Sequence, residues 1–337
     1  MKYFFLNLLL FPFVFHCQYT SIPDPVFENV LINYYGLDTI QDGQVLTSNI
    51  SGVQFLDVSD FGISDLTGIE DFTSLEYLDC YSNMLTNLDI SNCLNLVWLD
   101  CESNFLSTLD VSQNTMLQTL WCYENQLQSI NVNGCFNLQD FEFDNNLLNS
   151  LDLSTNINLI HIDAWNNLLY SLDVSNCQNL ESLEIFNNNL LECLNLKNGN
   201  NSMLYELEIN NTFNLNCIQV DDSSFSAINW INNSGFIIDS NHYFSNNCNY
   251  SSSCFTPTNV NENLIHLNAY PNPTNENITI SVSNYNGKIQ TEVYDLIGNR
   301  LQISNETTIS LRDYARGIYL LKVSYGDTVE EVKVIKE

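Results

Sequence analysis

Six consecutive rows of 21 residues, beginning at Leu75, Leu96, Leu117, Leu138, Leu159 and Leu180, align under one another without a gap. The first three read LEYLDCYSNMLTNLDISNCLN, LVWLDCESNFLSTLDVSQNTM and LQTLWCYENQLQSINVNGCFN. A 22-residue row, VQFLDVSDFGISDLTGIEDFTS, precedes them at Val53, and a shorter one follows at Leu204. A unit this small cannot bury its apolar side chains alone. A fixed period of this length therefore predicts a stack of similar coils, each covering the next.

Within one unit the apolar positions are Leu75, Leu78, Cys80, Leu85, Leu88 and Ile90. Leu78 and Cys80 are two residues apart, the spacing of a strand with one buried face, and Leu88 and Ile90 predict a second extended segment. Asn83 recurs as Asn104, Asn125, Asn146, Asn167 and Asn188, where an amide serves the backbone at the turn of each coil. Cys80, Cys101 and Cys122 take the place that other rows give to Phe143, Ala164 or Ile185, so they read as small buried apolar residues. Cys93, Cys135 and Cys177 alternate with Asn114 and Asn156 at a turn. No CxxC pair is present to suggest zinc. The register LxxLxLxxNxL, followed by LDxS, resembles the leucine-rich repeat family in a short bacterial form over residues 53–216. The implied fold is a β-rich leucine-rich-repeat solenoid of 21-residue coils.

The outward positions of the first strand are the third, fifth and seventh of each row. They carry Tyr77, Trp98, Thr119, Asp140, His161 and Ser182; then Asp79, Asp100, Trp121, Glu142, Asp163 and Glu184; then Tyr81, Glu102, Tyr123, Asp144, Trp165 and Phe186. Aromatic rings interleaved with carboxylates suit a flat ligand such as a sugar ring, or a peptide. The residues expected to touch it are Tyr77, Asp79, Tyr81, Trp98, Asp100, Trp121, Tyr123, His161, Asp163, Trp165 and Phe186. The competing reading is a solvated acidic face whose rings reflect strand propensity. Carboxylates one coil apart, about 4.8 Å, repel by about 0.9 kcal/mol in water and by several-fold more at lower dielectric. A second acid ladder, Asp89, Asp110, Asp152 and Asp173, meets the same repulsion, which bound calcium would relieve. No other cofactor is indicated.

Acids outnumber bases by 40 to 9, for a net charge of −31. Such a surface repels phosphate backbones and anionic membranes, which excludes nucleic acid as a partner. Lys197 is the only basic residue between Tyr3 and Gly287, so the chain divides before residue 288 into parts of different surface chemistry. Residues 1–17, one lysine ahead of an apolar run, read as a signal peptide, and no later segment is long and apolar enough to span a membrane. Residues 18–49 contain a helical stretch at Phe27–Ile32 and read as an N-terminal cap to the repeats at 50–216. Residues 217–248 read as a C-terminal cap. Cys217 opens that cap and Cys248 closes it, and a disulfide between them is expected; the partners of Cys193 and Cys254 are left open. Residues 249–266 read as a linker.

Residues 267–337 hold short alternating runs (Ile278–Val282, Gln290–Tyr294, Ile309–Leu311, Ile318–Val323, Val329–Ile335) separated by turn pairs such as Asn286-Gly287. They predict a small antiparallel, immunoglobulin-like β-sandwich. The order YPNP, VYDLIGNRL, GIYLLKV and a lysine-bearing last strand resembles the C-terminal sorting domain of type IX secretion. The resemblance implies export by that machinery, removal of the module, and release or attachment at the surface, with Lys322, Lys333 and Lys336 in an exposed signal. After signal removal three histidines remain, His161, His242 and His266, in separate segments, and no GxSxG, HExxH or P-loop string occurs. The chain therefore reads as a non-enzymatic surface or secreted protein that binds a protein or glycan on its repeat sheet. The alternative is a structural or adhesive surface component acting through divalent cations.

Overall fold

The computed structural model of the chain describes residues 18–231, 233–251, 254–255, 267–270, 274, 276–282, 287–295, 298–325 and 328–336. The expected signal peptide, His266 and most of the expected linker lie outside the described residues. The chain forms two compact units, Met1–Pro257 and Thr258–Glu337.

The first unit is a leucine-rich-repeat solenoid. Its main sheet has nine parallel strands, from Phe55–Asp57 through Tyr77–Asp79, Trp98–Asp100, Thr119–Trp121, Asp140–Glu142, His161–Asp163, Ser182–Glu184 and Glu206–Ile209 to Phe236–Ile238. Equivalent row positions pair throughout: Tyr77 with Trp98, Thr119 with Asp140, His161 with Ser182. The apolar positions of every row are buried in one continuous core.

The asparagine ladder explains how so many sharp turns stack. The residue before each ladder asparagine has a left-handed backbone: Ser82 (φ 54°), Ser103 (50°), Glu124 (51°), Asn145 (50°), Asn166 (51°) and Asn187 (58°). For L-residues this costs about 1–2 kcal/mol each. The asparagine offsets it. Asn104 Nδ2 donates to the carbonyls of Cys80 (3.0 Å), Cys101 (3.2 Å) and Glu102 (3.0 Å), and its Oδ1 accepts from Leu85 N at 3.0 Å. One side chain thus satisfies its own turn and the coil before it, and it does so while buried.

A second turn ladder alternates Cys93, Asn114, Cys135, Asn156, Cys177 and Asn198. Asn114 Nδ2 donates to Ile90 O (3.0 Å) and Cys93 O (2.9 Å), and the Cys135 thiol donates to Val111 O at 3.2 Å. Thiol and amide therefore do the same work toward the preceding coil. Burial pushes the thiols of Cys93, Cys135 and Cys177 up to about 12, and those of Cys80, Cys101 and Cys122 well above the ordinary range. All six are buried and free. Thiolate is the reactive form, so iodoacetamide at neutral pH is expected to leave them unlabelled in the folded protein. They should be fully modified in denaturant, as counted by intact mass.

The second extended segment expected in every coil is a strand only in some. Thr108–Asp110 pairs with Ser129–Asn131, and Ser171–Asp173, Cys193–Asn195, Cys217–Gln219 and Tyr243–Ser245 form one parallel sheet. At two of the three Asp–Asn neighbours, 110/131 and 173/195, the strands pair, with Asn195 Nδ2 donating to Asp173 Oδ1 at 3.0 Å. At the Asp–Asp neighbours 89/110 and 152/173 no strand pairing forms, and an open cleft separates residues 87–91 from 108–113. Like charges directly opposite disfavour pairing. Asn131 beside Asp152 is an Asp–Asn neighbour that also lacks the pairing.

Both ends of the core are covered. Tyr19–Ser21 pairs antiparallel with Gln44–Leu46, and between them runs the helix Pro25–Asn33. Asp24 caps that helix, accepting from Val26 N and Phe27 N, and its other oxygen accepts from Ser64 N, Ser64 Oγ and Asp65 N of the first coil. Burial alone would raise its carboxyl; these bonds hold it below the ordinary value. At the far end the helix Ser223–Asn229 is capped by Asp222, and Trp230, 1% exposed, packs on Phe236 and Phe244. Disulfides join Cys217 to Cys248 and Cys193 to Cys254, each with Cα atoms 5.7 Å apart. His242 is a structural residue of this cap, with its ring nitrogens on Thr212 Oγ1 (3.1 Å) and Leu215 O (2.7 Å).

The second unit has two antiparallel sheets. One comprises Leu267–Tyr270, Asn277–Val282 and Thr308–Ser310; the other orders Arg300–Ser304, Ile289–Tyr294, Gly317–Tyr325 and Thr328–Lys336. Ile278, Ile280, Val293, Leu321 and Val323 lie in its core. Arg300–Ser304 was not among the expected strands: Gly298 (φ 88°) closes a turn that brings it back onto Ile289–Tyr294. Lys336 corrects the expectation of an exposed lysine. It is 7% exposed, and its Nζ donates to the carbonyls of Leu311, Arg312 and Tyr314.

Candidate ligand-binding face

The nine-stranded register lines the third, fifth and seventh row positions into columns on one side of the main sheet. Most of these side chains are partly exposed. Asp100, Asp144 and Ser182 are not; they are 5%, 4% and 0% exposed. Asp100, expected to point outward to a ligand, sits between its in-register neighbours Asp79 and Trp121, and its Oδ1 accepts from Glu102 N at 3.0 Å.

The rings are not free platforms. Phe55 stacks on Tyr77 (centroids 4.5 Å, planes 14° apart), Tyr77 on Trp98 (3.9 Å, 2°), and Trp98 meets Trp121 edge-on (5.3 Å, 73°). Trp165 stacks on Phe186 (5.2 Å, 4°). Coil spacing sets this geometry: identical positions one strand apart bring ring faces together. Tyr81 and Tyr123 stand in the seventh column, half-buried.

Between the two aromatic groups lies an acidic centre. Asp140, Glu142 and His161 bring one ligand atom each within 4.8 Å of one another, as do Glu142, Asp144 and Asp163. Asp140, Glu142 and Asp144 stand on the expected columns but outside the set expected to touch a ligand. Their columns were legible, and the crowding that makes them the centre was not. Burial first, then Asp163 and Asp140, pushes Glu142 up to about 7. Burial and then Asp163 do the same to Asp144, also about 7. Burial, then Asp163 and Glu208, brings Glu184 to about 7. At the aromatic end burial raises Asp100 to about 7, with Asp79 adding and the Glu102 N–H opposing, and burial with Asp100 and Glu124 raises Glu102 to about 7. His161 goes up to about 9, held by Asp163, whose Oδ1 lies 3.3 Å from its Nε2, against the opposing effect of burial.

The other expected cation ladder is organised differently. Asp89, Asp110, Asp152 and Asp173 each accept from the backbone N–H two residues on, at 2.9–3.0 Å. Hydrogen bonds from Ser112 and Asn131 outweigh burial and lower Asp110. Among the described residues, the groups of three that converge within 4.8 Å are elsewhere: the two on the face, and Glu28, Asp38 and Asp42 at the N-terminal cap. Row position ten holds a further feature, the exposed apolar residues Met84, Phe105, Leu147 and Leu168, interrupted by Gln126 in the third row and followed by Asn189 in the sixth. An apolar residue recurring inside a polar turn was the signal for it.

The family described as secretion system C-terminal sorting domain matches residues 268–337. No curated protein matches the sequence. Among solved structures, the chain is similar to an internalin (inlF) from Listeria monocytogenes, with 16% identity and a TM-score of 0.37 over 68% of this chain and 97% of that one. It is also similar to the functional domain of InlJ from the same organism, described as including a cysteine ladder, with 18% identity and a TM-score of 0.24 over 95% and 99%. Among the described residues no helix is long and apolar enough to cross a membrane. Residues 268–337 thus match a secretion-system C-terminal sorting domain of the type IX kind, which marks the chain for export to the cell surface or beyond, and the residues before them have a leucine-rich-repeat fold.

Proposed function

We propose that the repeat unit holds an extracellular protein or glycan on the exposed face of its nine-stranded sheet, and that the sorting domain delivers it there. The supporting observation is the unbroken register, which gathers Tyr77, Trp98, Trp121, Trp165 and Phe186 around one acidic centre over many coils. Binding on such a face is a property of the columns; no single coil carries it. The role is recognition, and no catalytic step is assigned to any residue.

The test is a screen of protein and glycan arrays with the full chain, with and without calcium. Changing Trp98, Trp121 and Trp165 together to Ala is expected to weaken a specific signal at least about a hundredfold, since buried aromatic anchors each contribute about 2 kcal/mol or more. A signal that survives unchanged in a variant whose circular dichroism matches the parent sinks the proposal. A signal that requires calcium and survives the tryptophan changes would favour the cation-bridged adhesive role instead.

A further inference from the structure

The two ends of the repeat core are finished unequally. At the N-terminal end one phenol closes the outer edge of Phe55–Asp57: Asp57 N donates to Tyr35 Oη at 2.7 Å, and the Tyr35 hydroxyl donates to Asp57 O at 2.9 Å. With Phe27, Val30 and Leu31 of the capping helix in the same core, Leu56 and Val58 are fully buried. At the far end both sheets stop at a strand paired on one side only. Phe236–Ile238 pairs with Glu206–Ile209, and Tyr243–Ser245 with Cys217–Gln219. Leu207 N donates to Gly235 O and Asp239 N to Ile209 O, so the alternation of a parallel ladder turns the backbone groups of Phe236 and Ile238 outward. Phe236, Ile238 and Phe244 pack on the core yet stay partly exposed. Around them Ile228, Ile231, Ile237 and Tyr243 are exposed, Ile228 to 77%. An open edge beside exposed apolar side chains is a template for pairing, which proteins otherwise cover or charge.

Charge and backbone geometry select the occupant. Asp239 is the only Asp, Glu, Lys or Arg between Ser223 and Phe255, and its Oδ2 already accepts from Asn211 N at 2.8 Å. A basic partner gains more on the acid columns of the main sheet. A second copy of this chain, itself at −31, is repelled from those columns and meets no such repulsion at this end. The edge is also complementary to itself. A twofold axis at Ile237 sets the two last strands antiparallel, so each copy's Ile238 N–H meets the other's Phe236 carbonyl. Phe236 N is held by Asn233 O at 3.0 Å, so these two symmetric bonds are the ones the edge can form. The same axis sets the exposed isoleucines of one end against those of the other. We propose that this end of the solenoid is the interface of a twofold dimer of the chain. The inference does not rest on what the repeat face binds. It joins two main sheets edge to edge and presents that face twice, which lets a long or repetitive ligand be held at two points.

The experiment is analytical ultracentrifugation of the full chain over a concentration series of about 0.1 to 100 µM, at low and high salt. The chain is expected to pass from monomer to dimer and no further, and the dimer to tighten about threefold or more in high salt, where repulsion between two acidic chains is screened. Ile228→Asp with Ile237→Asp should weaken the dimer about a hundredfold or more, since both copies lose apolar contact and like charges meet across the axis. Met84→Asp with Leu147→Asp, the same change on the row-ten residues, should stay within about threefold. Thermal melts check that both variants fold, and hydrogen exchange of the unaltered chain gives a reading that needs no variant: the Ile238 amide should be protected at dimeric concentration and open on dilution. A monomer throughout, or larger assemblies in place of a dimer, overturns the proposal. So does equal weakening by the two double variants, or an Ile238 amide that exchanges alike at both concentrations.

Discussion

Asn104→Ala is expected to destabilise the repeat unit by about 3–5 kcal/mol, because it strands several buried backbone groups at once at about 1–3 kcal/mol each. Three carbonyls lose the Nδ2 donor, and Leu85 N loses its acceptor. The left-handed backbone at Ser103 then has nothing to offset it. The melting temperature should fall by about 10 °C or more for a unit of this size. Asn95→Ala is the matched control. Asn95 is exposed and makes a single bond, to Thr73 O at 2.9 Å, so its loss should cost under about 1 kcal/mol. Equal effects in thermal and urea melts would show that the ladder is not what holds the turns.

Stability of the repeat unit is expected to fall as pH rises from 5.5 to 8.5. Asp100, Glu102, Glu142, Asp144 and Glu184 all titrate near 7 when folded, against about 4 when unfolded. Between those values the folded chain holds more protons than the unfolded one, so stability declines with pH until the folded carboxyls have ionised. His161 adds to the same trend: raised to about 9, its ion pair stabilises fully below its ordinary value near 6.5 and is lost as pH climbs through 9. Each proton of difference contributes up to about 1.4 kcal/mol per pH unit. Because these groups share their repulsion and are partly solvated, the summed fall in melting temperature is about 5–10 °C. Asp100→Asn with Glu102→Gln should flatten the profile. A level curve, or one that rises with pH, would contradict the desolvation that the face displays. Measurements start at 5.5 to stay above the isoelectric point near 4.1.

Repetition made most of the fold legible in the chain itself. Six rows in one register fix which side chains enter the core, which asparagine turns the coil and which columns share a face, because a shift of one residue would expose every leucine. Cys80 and Cys93 could be assigned to core and turn for the same reason: neighbouring rows show what those positions require. Ring geometry was not legible. Tyr77 and Trp98 read as free surfaces until coil spacing brought their planes to 2° of parallel, and Asp100 read as exposed until its neighbours covered it. Which coils pair along the second ladder was not legible either, and Lys336 found three carbonyls from a different part of its domain. The pairing of Cys193 with Cys254 joins residues 61 apart, a proximity that no local pattern encodes. The sequence by itself determined the period, the register and the identity of each column, since these follow from residue spacing along one chain. Only the tertiary structure decided which groups in those columns are stacked or desolvated, because those states depend on side chains from different coils occupying the same few ångströms.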